Sequence, residues 1–145
     1  MNGFRFSLVH VLEWYEKQLQ LEENRLAECH TALENAQRAL SEARATRCGI
    51  EHALIHCSCI TAGELTALES FRRKSRNHEK RLVSDCDASQ SKLQAQLVAV
   101  KLVQRKVRLL EKLRERRLAE HSYAANRELE ELAADTFLAK FARQR

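Results

Sequence analysis

"LEWYEKQLQLEENRLAECHTALENAQRAL", residues 12–40, carries leucine at 12, 19, 26, 33 and 40. A spacing of seven returns a helix to nearly the same face, because two turns take about 7.2 residues. With these leucines as a, the d positions are Leu8, Tyr15, Glu22, Cys29, Ala36, Ala43, Ile50 and Cys57. Arg47 interrupts the a series and Leu54 resumes it. Apolar residues at an average interval of 3.5 form a coiled-coil seam. Alanine at the later d positions permits close helix approach. The pattern predicts one helix from about residue 4 to 57.

The wider composition agrees. The chain has 145 residues, no proline and three glycines. Proline breaks helices and glycine weakens them, so very long helices are expected. Aromatic residues are 6% and charged residues 31%, a balance that suits a coiled coil better than a globule with a thick core.

Downstream, "CITAGELTALESF", residues 59–71, places Thr61 three positions before Glu64. This is the capping-box spacing, in which each side chain reaches the other's backbone N–H. A turn is expected at 58–62 and a second helix from about 62 to 142. In that helix Leu65, Leu68, Leu82, Cys86, Leu93, Val100, Val103, Val107 and Leu110 share one heptad frame. Arg72, Ser75, Glu79, Ser89 and Gln96 fall in the same frame and weaken it as an apolar seam. Beyond Leu110, Leu113, Leu118, Leu129 and Leu132 require a shifted register.

Neither helix can bury its stripe alone. The expected fold is therefore all-α, a single domain of two long helices in an antiparallel coiled-coil hairpin. At 1.5 Å per residue the arms would be roughly 80 and 120 Å long. A turn near 60 would set residue 4 beside about residue 116 and leave a C-terminal overhang of about 25–30 residues.

Charge divides the chain. Residues 1–60 hold six Lys/Arg and eight Asp/Glu, whereas 61–145 hold nineteen and twelve. "FRRKSRNHEKR", 71–81, and "KLVQRKVRLLEKLRERR", 101–117, are the basic runs. They fit a solvated face paired with the acidic first arm, or a surface for phosphates or an acidic protein. Base-stacking aromatics are missing from them except Phe71, which disfavours nucleic acid. No stretch approaches the roughly 18 apolar residues of a membrane span, and no leader-like segment opens the chain. A cytoplasmic protein with reduced thiols is expected, since five cysteines is an odd number.

"EHALIHCSC", residues 51–59, is the most chemically suggestive stretch. His52 and His56 share a helical face, and Cys57 and Cys59 follow. Zinc sites usually draw on two ligand pairs separated by a loop, and no second pair lies nearby, so no metal is expected. A two-helix rod offers no pocket to position a nucleophile, and the chain lacks a phosphate-cradling glycine loop. Neither catalysis, a cofactor nor a small-molecule substrate is expected. Phe4 and Phe6 at one end, with Phe137 and Phe141 on the overhang, suggest instead a docking device.

These residues also carry a resemblance. "FRFSLVHVLEWYEKQLQLEENRLAE", "LTALESFRRK" and "LLEKLRERRLAEHSYAANRELEEL" resemble the corresponding segments of FliJ-type flagellar export proteins over almost the whole chain. Where that family often has an Asp-Glu pair, this chain has Ala133 and Ala134, followed by Asp135. The resemblance implies a stalk that inserts into a hexameric export ATPase, links it to the membrane export gate and engages export chaperones. Its place would be cytoplasmic, peripheral to the inner membrane. It implies ATPase-facing residues Phe4, Phe6, Leu8, Arg114, Arg116, Arg117, Arg127 and Phe137, and gate-facing residues Ile60, Leu68 and Phe71. The alternatives are the equivalent stalk of a virulence secretion system, or a free-standing coiled-coil adaptor or nucleic-acid binder using the basic face of helix two.

Overall fold

A computed structural model describes residues 4–56 and 61–143. Two helices account for nearly all of them: α1, Val9–Ile55, and the longer α2, Ala62–Arg143. They pack against each other, and no strand occurs among the described residues. The predicted turn at 58–62 lies mostly outside those residues. Its last part is visible as the start of α2, where the capping box forms as the spacing requires. The Thr61 backbone N–H donates to the Glu64 carboxylate at 2.7 Å, and the Glu64 N–H donates back to the Thr61 hydroxyl at 3.3 Å. The Thr61 backbone and hydroxyl donors hold the Glu64 carboxyl below its ordinary value of 4.5.

The chain divides into two compact units, each built from a piece of both helices. One comprises residues 21–101. In it a half-buried series on α2 runs through 68, 72, 75, 79, 82, 86, 89, 93 and 96, with intervals of four and three throughout. This is the heptad frame read from the sequence, and its polar members stay on the inner face. The matching series on α1 is Glu22, Leu26, Cys29, Leu33, Ala36, Leu40, Ala43, Arg47, Glu51 and Leu54. Ile50, expected on the seam at d, is exposed instead, and Glu51 takes the inward place. The reason is electrostatic: Glu51 accepts from Arg72 Nε on α2 at 3.2 Å.

The polar interruptions meet one another. Gln96 donates to the Glu22 carboxylate and to the Glu22 backbone carbonyl, the latter at 3.1 Å. Arg25 holds the same carboxylate at 2.8 Å from its own helix. Arg47 reaches Glu79 at 3.2 Å. Partner numbers on α2 fall from 96 to 79 to 72 as those on α1 rise from 22 to 47 to 51. A buried carboxylate or guanidinium costs free energy unless a complement satisfies it. Displacing the helices by one heptad would separate all three pairs, so the interruptions specify the register that a seam of leucine and alanine leaves loosely defined.

The other unit comprises residues 1–20 and 102–145. Leu12 and Val107 are its buried apolar side chains. Tyr15 of α1 lies under the Lys106 ammonium, 5.3 Å from ring centroid to nitrogen, a cation–π contact. The start of α1 is later than the heptad pattern predicts, at Val9 instead of residue 4. Ahead of it, Phe4, Phe6 and Leu8 are half-buried while Arg5 and Ser7 are exposed. Ser7 and Leu8 form a turn, closed where the helix begins by the Val9 N–H donating to the Phe6 carbonyl at 3.2 Å.

Candidate partner-binding site

The strap Phe4–Leu8 and the α2 residues Leu113, Arg117, Glu120 and His121 line an open groove of about 460 Å³. Leu113, Arg117 and His121 are spaced by four, so they share one stripe of the helix. Phe4 seats its ring edge-on against the His121 imidazole, with centroids 5.6 Å apart. Expected beside residue 116, Phe4 lies against residue 121, because residues 4–8 precede the helix and non-helical chain advances farther per residue than a helix. Its lining combines apolar Phe4, Phe6, Leu8 and Leu113 with cationic Arg5 and Arg117 and anionic Glu120.

Of the ATPase-facing residues implied by the resemblance, the groove brings together Phe4, Phe6, Leu8 and Arg117. Arg114 is elsewhere, in a separate surface hollow with Glu111, Glu115 and Leu118. Arg116 is bound to Glu120 at 3.0 Å and Arg127 to Glu131 at 3.0 Å, both exposed pairs one turn apart. Phe137 stacks on Phe141 with centroids 6.5 Å apart, farther along α2. From Ser122 to Arg143 every residue except the half-buried Ala125 is exposed, including Leu129, Leu132, Phe137, Leu138 and Phe141. Sequence reasoning missed Glu120 and His121 as groove residues. The four-residue spacing from Leu113 was the available signal, but it becomes informative only once residues 4–8 are known to lie outside the helix.

The gate-facing set fares differently. Ile60 lies outside the described residues. Leu68 and Phe71 are half-buried at the inner face of α2, so packing accounts for much of their surface. In the histidine stretch, His52 and His56 are exposed and their Nε2 atoms lie 3.3 Å apart. Cys57 and Cys59 lie outside the described residues.

Comparison with protein families, curated proteins and solved structures finds no match to this chain. Among the described residues, no helix is long and apolar enough to cross a membrane.

Proposed function

We propose that the chain is a non-enzymatic stalk of a flagellar type III export apparatus, of the kind its sequence resembles. In this reading α1 and α2 form an antiparallel coiled coil. The end carrying the groove and the C-terminal part of α2 enters the hexameric export ATPase and promotes its assembly and hydrolysis. The segment with Leu68 and Phe71 faces the membrane export gate, and export chaperones engage the stalk. The protein is cytoplasmic and peripherally associated with the inner membrane at the export apparatus.

The observation that carries the reading is the exposed α2 segment beyond His121. It presents Leu129, Leu132, Phe137 and Phe141 to solvent, beside exposed ion pairs at Arg116 and Arg127. Exposed apolar side chains in such number mark an interaction surface. Exposed charge pairs are worth only about 0–1 kcal/mol each. Contacts of that strength let a shaft bias ring subunits without locking to one.

The test is titration of the full chain into its cognate export ATPase, following hydrolysis and hexamer formation. Stimulation is expected, and combined reversal of Arg114, Arg116 and Arg117 to glutamate should abolish it. An unaffected ATPase, together with tight, salt-dependent binding to random-sequence DNA, would replace this reading with the nucleic-acid one.

A further inference from the structure

The last turn of α1, with the residue just beyond it, holds a feature that the stalk reading does not use. His52 and His56 are one helical turn apart, and their rings meet edge-to-face with centroids 4.4 Å apart and planes at 82°. The Nε2 atoms face each other at 3.3 Å. Both rings are exposed, so neither is held there by a core.

Zinc–nitrogen bonds are about 2.0–2.1 Å long. Two such bonds meeting at a tetrahedral angle hold their nitrogens about 3.3–3.4 Å apart. The nitrogen separation matches that bite, and both rings are exposed, so rotation from their 4.4 Å edge-to-face contact can turn the two lone pairs onto one ion. We propose that His52 and His56 form a two-imidazole binding site for a divalent transition-metal ion of the zinc class.

Imidazole nitrogen is a donor for zinc, copper and nickel and a poor one for magnesium or calcium, which take oxygen. Both rings bind as neutral tautomers with the proton on Nδ1, leaving the two Nε2 lone pairs for the ion. Without metal, the same contact requires one Nε2 to carry the proton and donate to the other. Among the described residues no third His, Cys, Asp or Glu completes a cluster. Other histidines of α1 are placed differently: His10 lies 3.4 Å from Glu13 and His30 lies 3.1 Å from Glu34. Each faces a carboxylate, and only the 52/56 pair presents nitrogen to nitrogen. A bound ion would bridge residues four apart and staple the final turn of α1.

The site is tested by calorimetric titration of the reduced full-length chain with zinc chloride, with thermal unfolding followed in parallel. One site per chain is expected. His52→Gln and His56→Gln should each weaken it about tenfold or more, since a chelate reduced to one donor loses the effective concentration of the second. His30→Gln and the Cys57→Ser/Cys59→Ser double variant should retain it. Zinc should raise the melting temperature of the wild type and not of His52→Gln. Absence of binding, equal binding by the wild type and His52→Gln, or binding lost in the cysteine variant and kept in both histidine variants would each overturn the proposal.

Discussion

Gln96 of α2 donates its side-chain amide to the carboxylate of Glu22 on α1, one of the few buried side chains among the described residues. Both residues interrupt an apolar heptad on their own helix. Each is the complement of the other.

Removing one partner should therefore cost more than removing both. Gln96→Leu takes the cross-helix donor from the Glu22 carboxylate and leaves the Arg25 pair on its own helix. It should destabilise by about 1–3 kcal/mol. Glu22→Leu/Gln96→Leu should recover most of that loss, because an apolar layer needs no satisfaction. The double variant should also populate alternative pairings, as seams stripped of their polar layer do. Chemical denaturation measures the first effect, and light scattering after gel filtration the second.

The Arg47–Glu79 pair is less exposed, at 28% and 15% of side-chain area, than Arg72–Glu51 at 38% and 31%. Arg47→Ala should accordingly cost more than Arg72→Ala. The first is expected at about 1–3 kcal/mol, because it leaves the Glu79 carboxylate without its cross-helix cation. The second should lie within about 1 kcal/mol. Arg47→Glu should be rescued by Glu79→Arg, with a coupling free energy above about 0.5 kcal/mol in a double-mutant cycle.

How much of this was legible in the sequence follows from the chemistry of each signal. Leu12 to Leu40 disclosed α1, and Thr61 with Glu64 disclosed the start of α2, because both signals are local and periodic. Arg72, Glu79 and Gln96 looked like defects, since their partners at 51, 47 and 22 are remote in sequence and visible only after the helices are paired. Phe4 and Phe6 were absorbed into the helix because a seven-residue template extends smoothly over them. Their two-residue alternation is too short to compete until α2 supplies a surface. The groove at Leu113, Arg117 and His121 was hidden for the same reason.

The cap at Thr61 should respond to pH with a defined sign. The folded Glu64 carboxyl titrates below 4.5. Its contribution is therefore complete above the unfolded value and is lost as pH falls through the lower folded value. The Thr61 amide resonance should move with a midpoint below 4.5, and Glu64→Gln should remove that titration. Nuclear magnetic resonance across the acid range measures it.

Gly49 is helical and has no positive φ, and a methyl group added at its Cα would meet nothing within 4 Å. Gly49→Ala should then stabilise α1 by about 0.5–1 kcal/mol, through lower unfolded-chain entropy and better helix propensity. Thermal unfolding should show a rise in melting temperature.

The proposal that α1 and α2 run in opposite directions within residues 21–101 is supported by the paired interruptions. Its most direct test is a pair of spin-label distances by pulsed electron resonance in a cysteine-free chain. Labels at exposed Asn24 and Gln94 should lie close together across the helix pair. Labels at Asn24 and Asn77 should be about 25 Å farther apart along the axis, given about seventeen residues at 1.5 Å each. Equal separations, or a shorter distance for Asn24 with Asn77, would contradict the pairing and the register built on it.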